Sequence, residues 1–299
     1  YNLNKAKKIL EKNKIIAVPT ETVYGLAGNA YSDNSVKKIY SLKKRPKKNP
    51  LIIHYYDLNL LRRDAVYDKN FLRLYNKFSP GPLTYILKKK PTSKVSKFAN
   101  AKLKTIAVRF PKNKVIRSLL KKINFPLAIP SANISTGVSP TQPLDVVDEF
   151  NNKIKFILNG GKSSIGLEST VINLINKPRI LRPGVISSIE IEKLLRKKIL
   201  NNVVSKKIVS PGMLKRHYSP GIPIKLNSKK ADYKAAFIVF GKKYKLEKNM
   251  FNLSRKGDLK EAAKNLYKIL RKIKKLKYKK INIVKIPNKN IGIAINDRL

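Results

Sequence analysis

The chain has 299 residues, 67 Lys and Arg against 17 Asp and Glu for a formal net charge of +50, and a hydrophobic fraction of 42%. That apolar content is enough for a core, which excludes a disordered polyelectrolyte, and the length allows one large domain or two unequal ones. Cysteine is absent and the two histidines are His54 and His217, which excludes disulfides, thiolate catalysis, Cys-ligated zinc and any His-rich metal site.

The opening YNLNKAKKILEKNK is too polar for a signal peptide, and no apolar run approaches the roughly 18–20 residues of a membrane helix. The chain is expected to be soluble and cytoplasmic with no membrane partner and, beginning without Met, to lack a few N-terminal residues. In chain order, KIIAV (14–18), PLIIH (50–54), LTYIL (83–87), TIAVRF (105–110), PLAIP (126–130), KFIL (155–158) and STVINLI (169–175) are short, β-branched strands. Helical spacing falls between them. Residues 34–42 carry Val36, Ile39 and Tyr40 on one face, with Asp33 or Asn34 as N-cap, and further helices are expected near 58–66, 69–78, 113–122, 143–150 and 188–197. The pattern is α/β, with a twisted, mixed central sheet.

From about 203 to 223 periodicity gives way to Pro211, Pro220, Pro223, Gly212 and Gly221, the texture of an extended linker. A second, small α/β unit follows. AAFIVF (235–240) is a strand. The stretch 258–275 is a helix capped by Asp258, with Leu259, Ala263, Leu266, Leu270 and Ile273 on one face. INIVKIP (281–287) is a strand, and IGIAINDRL opens a helix or a strand. The expected division is a catalytic domain over 1–202, a linker or lid over 203–230 and a small domain over 231–299.

A charge of +50 attracts phosphate and favours salt-dependent nucleic-acid binding. The excess is mostly Lys, spread evenly among abundant Asn and Ile, which favours a compositional bias toward AT-rich codons over a dedicated nucleic-acid surface. Arginine, the minority cation, is more informative, because its planar fork seats carboxylate or phosphate in a way Lys cannot. Arg45, Arg109, Arg182 and Arg216 all lie in motif-like segments. Gly161-Lys162-Ser163 is not a phosphate-binding loop of the Walker type, since position 156 is Phe where that loop needs Gly. With so few acids, no carboxylate pair for hydrolysis stands out.

The surviving segments share one chemistry. PTETVYGLAG (19–28) follows a strand and supplies Thr20, Thr22 and backbone amides. LKKRPKKNPLIIH (42–54) bunches Lys43, Lys44, Arg45, Lys47 and Lys48 before a strand. TIAVRF alternates Thr105, Ala107 and Arg109 on one face. IPSANIS (129–135) and GLEST (166–170) offer Ser131, Asn133, Ser169 and Thr170 at strand ends. Hydroxyls, an amide, arginines and clustered lysines suit an anion with many oxygens, a nucleotide triphosphate or a carboxylate, and not proton abstraction.

Taken together, PTETVYGL, K-x-R-P at 43–46 leading to NPLIIH, TIAVRF, PSAN (130–133), ESTV (168–171) and LRPG (181–184) resemble the YrdC/Sua5 family. SPGMLKRHYSPGIP (210–223) and the unit after it resemble its two-domain Sua5 type. The resemblance implies a YrdC-like twisted α/β domain with a concave basic face, then a small Rossmann-like domain. It implies L-threonylcarbamoyladenylate synthase activity, in which L-threonine, bicarbonate or CO2, and ATP give threonylcarbamoyl-AMP and pyrophosphate. The product passes to the tRNA threonylcarbamoyl transferase machinery for t6A37 modification. By the same resemblance Lys43 and Arg45 are catalytic. Thr20, His54, Arg109, Ser131 and Ser169 hold threonine, with Arg109 on its carboxylate. Lys43, Lys47, Thr105, Asn133, Thr141, Arg182 and Tyr218 hold ATP, and Mg2+ travels with the phosphates without a protein-held metal site. Arg216, His217 and Tyr218 form a lid, or else a passive tether. Lys44 and Lys47 stand where the family often has Gly and Ser. The competing reading is a non-enzymatic basic RNA-binding module; weak RNA binding is also compatible with the enzyme.

Overall fold

The computed structural model describes residues 2–151, 153–201, 218–230, 232–245 and 247–299. Arg216 and His217 lie outside the described residues. The larger unit begins with α1 (Leu3–Glu11), β1 (Ile16–Val18) and β2 (Gly25–Asn29). It continues through α2 (Asp33–Lys43), β3 (Ile52–His54), α3 (Leu58–Leu61), β4 (Ala65–Val66), α4 (Lys69–Phe78), β5 (Leu83–Lys89) and β6 (Thr105–Arg109). Then come α5 (Lys114–Lys122), β7 (Leu127–Ala128), α6 (Pro143–Phe150), β8 (Thr170–Asn173), β9 (Arg179–Arg182), α7 (Ser188–Leu195) and β10 (Leu200–Asn201). Its sheet runs in the order β1-β2-β7-β3-β6-β5-β8-β9-β10, with β4 pairing β5. Pairings β3–β6, β5–β8 and β9–β10 are parallel and the others antiparallel, so the sheet is mixed.

Helix ends follow local chemistry. Ser32, not Asp33 or Asn34, caps α2, its side chain accepting from the Ser35 N–H. The same helix ends at Lys44 with φ 49°, a left-handed conformation that costs a non-glycine residue about 1 kcal/mol and that glycine adopts freely. α7 opens on a reciprocal Ser187–Glu190 capping box.

Several elements differ from their sequence reading. β2 is a strand made of GLAGN, a stretch not among the strands expected from sequence; a Cβ on Gly25 would lie 2.2 Å from Ile129 Cγ2, so the glycine is there for close strand packing. The helix expected over 58–66 stops at Leu61, and Ala65 and Val66 pair with β5 instead. KFIL makes only a single bridge, Ile157 to Ala17. Its carbonyl and amide on either side still pair with Ala17.

The smaller unit holds β11 (Ile224–Lys225), β12 (Ala236–Val239), β13 (Met250–Asn252), α8 (Leu259–Lys275), β14 (Ile281–Ile283) and α9 (Ile291–Asp297). All its strands are parallel, ordered β11-β14-β12-β13, and β11 falls inside the stretch 203–230. α8 buries Ala262, Ala263, Leu266, Tyr267, Leu270 and Ile273, and IGIAIND is helical. This core also takes in Val23, Val138, Leu167 and Tyr218, so apolar contacts are continuous from one unit into the other. Among the described residues no helix is long and apolar enough to cross a membrane.

Candidate functional site

One cleft gathers the turn 20–25, the end of α2, the end of β3, Arg109, the loop 129–139, Glu168, Arg182 and Tyr218. Each wall is set by strand register. β3 and β6 lie parallel with His54 opposite Arg109, which brings two distant segments to one end of the sheet.

Thr20 is buried at the head of the turn. Its hydroxyl donates to Val23 O at 2.5 Å and accepts from the amides of Thr22 and Val23. With its proton spent on a carbonyl, Thr20 accepts from the Thr22 hydroxyl at 2.8 Å. Lys43 is 1% exposed. Its ammonium donates to Ser131 O and Asn133 O, each at 2.5 Å, which leaves one N–H without an acceptor among the described residues. Burial above all, then the like charge of Arg45, pulls the Lys43 pKa well below the ordinary lysine value; Glu149 and Glu168 act weakly the other way. Arg45 donates from Nε to Asn49 O (2.9 Å) and from Nη2 to Asn49 Oδ1 (2.6 Å) and Pro50 O (2.8 Å). Burial brings its pKa down to about 10, still cationic at neutral pH.

His54 is buried with Nδ1 3.2 Å from Ile52 O. A carbonyl only accepts, so Nδ1 carries the proton and Nε2 is a bare acceptor; it has no partner among the described residues. Burial first, then the Arg109 charge, holds the His54 pKa well below the usual histidine value, so the ring is neutral.

Arg109, expected to meet a substrate carboxylate, also faces one from its own chain. Its Nη2 donates to Glu21 Oε1 at 2.6 Å, and the other Glu21 oxygen accepts from the amides of Lys112 (2.9 Å) and Asn113 (3.2 Å). Burial pushes the Glu21 pKa up, but the Arg109 charge and these hydrogen bonds outweigh it and hold the carboxyl below its ordinary range. Nη1 of Arg109 has no acceptor among the described residues.

Ser131 donates to Asn133 Oδ1 at 2.6 Å, and Asn133 donates to Ile134 O and Gly137 O, so this pair shapes its own loop. Arg182 donates to Ser169 O and Ser169 Oγ, both at 3.1 Å, and reaches the Tyr218 hydroxyl at 3.5 Å. Tyr218 is buried between the Arg298 guanidinium, 4.7 Å from its ring centre, and the Tyr267 ring at 6.0 Å. Of the expected site residues, Thr20, Lys43, Arg45, His54, Arg109, Ser131, Asn133, Arg182 and Tyr218 therefore line one cleft.

Four others stand apart from it. Ser169 lies behind the wall, bridging Thr84 and Arg182. Thr141 is tied by amide and hydroxyl to Asp145 at the start of α6. Thr105 keeps its alternation with Arg109, but four residues of strand put it about 13 Å away. Lys47 faces a separate depression with Lys37, Tyr40, Lys44 and Phe98, which meets the cleft only at Arg45.

Glu21 and Glu168 are carboxylates at the site that the sequence reading does not name. Glu168 lines the cleft and accepts from Ser139 (2.5 Å), Tyr267 (2.7 Å) and Arg298 (3.0 Å). Burial raises its pKa, and the charges of Arg298 and Arg182 with two hydroxyl donors bring it below the ordinary value. Both carboxylates are paired with arginine and each accepts three hydrogen bonds, so neither is placed as a hydrolytic acid or base. Their signal in the sequence was scarcity: two of only 17 acids sit inside the TET and EST triplets. Among the described residues no group of three or more His, Cys, Asp or Glu side chains is placed to hold a metal ion.

The fold and the cleft define an α/β protein whose pocket sets carbonyl-anchored cations beside a carboxylate-backed arginine. The chain belongs to the Sua5/YciO/YrdC family: the family model, described as "Telomere recombination", matches residues 8–184, and that of the "Threonylcarbamoyl-AMP synthase, C-terminal domain" matches 186–299. Threonylcarbamoyl-AMP synthase of Pyrococcus abyssi is 35% identical, covering 100% of this chain and 93% of the relative. That of Bacillus subtilis is 34% identical, covering 98% and 90%. The crystal structure of P. abyssi Sua5 complexed with L-threonine superposes with a TM-score of 0.91 at 34% identity, covering 99% of this chain and 92% of that one.

Proposed function

We propose that this chain is an L-threonylcarbamoyladenylate synthase, which forms threonylcarbamoyl-AMP and pyrophosphate from L-threonine, bicarbonate or CO2, and ATP. The observation that carries the reading is convergence: residues of six separated motifs meet in one cleft, in a chain that aligns over nearly its whole length with synthases of that name. The product serves t6A37 formation on tRNA and passes to the tRNA threonylcarbamoyl transferase machinery, which agrees with a cytoplasmic location.

In this reading residues 1–202 carry the reacting groups. Threonine lies at the His54–Arg109 end. The open Nη1 of Arg109 takes its carboxylate, and Nε2 of His54 accepts from its ammonium or hydroxyl. ATP lies along Lys43, Arg45, Asn133, Arg182 and Tyr218. The threonine ammonium gives a proton to solvent, the free amine attacks CO2 and releases a second proton to solvent, and the resulting carbamate oxygen attacks the α-phosphorus. The bond from that phosphorus to the bridging α–β oxygen breaks, and pyrophosphate leaves. Rate comes from alignment of the reactants and from cations facing charge that builds on the phosphates. The oxygen ligands in the cleft do not suit a protein-held Mg2+, since its lining carboxylate, Glu168, already accepts three hydrogen bonds and faces the Arg298 guanidinium. Mg2+ therefore enters as part of the MgATP substrate, on phosphate oxygens.

The test is pyrophosphate release from ATP with bicarbonate and threonine, serine or no amino acid. Release that requires threonine is expected. Release that ignores the amino acid would overturn the assignment, and absent turnover with steeply salt-dependent RNA binding would favour the basic RNA-binding module.

A further inference from the structure

The loop 131–139 supplies Ser131, Asn133, Gly137 and Ser139 to the cleft, and its carbonyls anchor Lys43. The far side of this loop is held from the smaller unit. Tyr267 and Arg271 are one helical turn apart on α8 and project on one face. The Tyr267 hydroxyl donates to Glu168 Oε2 at 2.7 Å, while Glu168 Oε1 accepts from Ser139 at 2.5 Å. Arg271 donates to Val138 O at 2.5 Å and to Glu149 Oε2 at 2.9 Å, while Glu149 Oε1 accepts from the Ile134 amide at 2.9 Å. Arg298, just past α9, completes the set with 3.0 Å to Glu168 and 2.9 Å to Pro183 O. The loop is thus pinned at Ile134, Val138 and Ser139.

The helix has no slack against this face. Gly166 has φ +81°, and a Cβ there would lie 2.7 Å from Lys264 Cα and 2.9 Å from Lys264 O. Backbone touches backbone, so the separation of α8 from the cleft wall is fixed by main chain rather than by adaptable side chains.

We infer that Tyr267, Arg271 and Arg298 are positioning residues of the synthase site, and that the smaller unit backs the loop walling the nucleotide half of the cleft, beyond anchoring the linker. The inference rests on the synthase reading for its kinetic consequence and on geometry alone for its structural one. Both are measured on the full chain.

Tyr267→Phe removes one hydroxyl from an otherwise intact ring, and Arg271→Met removes the fork while keeping the stem. Hydrogen exchange at the amides of 134–139 is expected to quicken about tenfold in each variant, as loss of a hydrogen bond to a charged group implies. The KM for ATP should rise by on the order of tenfold, with the KM for threonine within about twofold, and Arg271→Lys should restore part of the loss. Lys275→Ala breaks an exposed ion pair with Asp148 on the same helix face and should change neither readout. Unchanged exchange in the loop, an equal rise in both KM values, or the same losses from Lys275→Ala would each overturn the inference. Wild-type protein without threonine-dependent turnover would instead sink the synthase reading, while the exchange data would still decide whether α8 positions the loop.

Discussion

Replacing Glu21 by Gln tests the buried pair that backs the cleft. The side chains of Arg109 and Glu21 are 5% and 7% exposed, and the carboxylate serves three donors: Arg109 Nη2, Lys112 N and Asn113 N. Gln keeps the shape but has one acceptor oxygen. Whichever way the amide turns, its NH2 faces either the guanidinium or the two amides, and Arg109 is left charged without a counter-ion. Breaking a buried pair in this way costs about 3–5 kcal/mol, a large part of the roughly 5–15 kcal/mol that holds a typical protein folded. With no Trp in the chain, urea unfolding is followed by circular dichroism or by the emission of its 14 Tyr. The pH dependence adds a second signature. The folded Glu21 pKa lies below its unfolded value, so the pair stabilises fully above the unfolded pKa of about 4.3 and loses that contribution as pH falls through the folded value. The gap between wild type and variant should close over that acid range. A double-mutant cycle with Arg109→Met should show coupling of at least about 2 kcal/mol, because deleting both partners leaves no stranded charge. A loss below about 1 kcal/mol, or a gap that stays constant with pH, would refute the argument.

Two further outcomes follow from the same structure. His54 is buried and neutral while an unfolded histidine has a pKa near 6.5, so the unfolded state takes up a proton that the native state refuses; stability should fall by about 1 kcal/mol between pH 7.5 and 5.5, and His54→Gln should flatten that slope in chemical denaturation, with His217→Asn as the control for the other histidine. Gly166→Ala should cost about 2–4 kcal/mol through its φ of +81° and its backbone clash with Lys264, whereas Gly221→Ala, at φ +76° with nothing within 4 Å, should cost about 1 kcal/mol; equal shifts in midpoint would show that close approach to α8 is not what requires the glycine.

Strands dense in β-branched residues were legible in the sequence, as was the long amphipathic α8, because burial on one face leaves a period. What escaped was structure set by tertiary contact. GLAGN forms β2 because Ile129 and Pro130 press on Gly25, a neighbour relation with no local signature. RILR and MFN are too short to show alternation, yet become β9 and β13 beside strands already in place. In the cleft, motif order identified which segments meet but not which atom of each remains open. Thr105 shares a strand face with Arg109 and still lies too far along it. Lys47 lines a neighbouring depression that shares only Arg45 with the cleft. Glu21 went unread because a carboxylate between two threonines has no meaning until Arg109 arrives from another strand.

The partners of each cation divide the cleft electrostatically. Arg109, Arg271 and Arg298 each face a carboxylate, from Glu21, Glu149 and Glu168 respectively. Lys43, Arg45 and Arg182 are instead anchored by carbonyls, an amide and hydroxyls, which fix their direction without cancelling their charge. The net positive field in the cleft thus comes from the second set, while the Arg109 end is close to neutral. Zwitterionic threonine carries no net charge and suits the compensated end, where Nη1 of Arg109 and Nε2 of His54 give direction rather than field. A triphosphate suits the other end, where Lys43 and Arg45, buried and with lowered proton affinity, regain it as the anion arrives. The global charge of +50 is spread over the surface and says little about this; the placing of three acids among 17 decides where substrate charge is welcome.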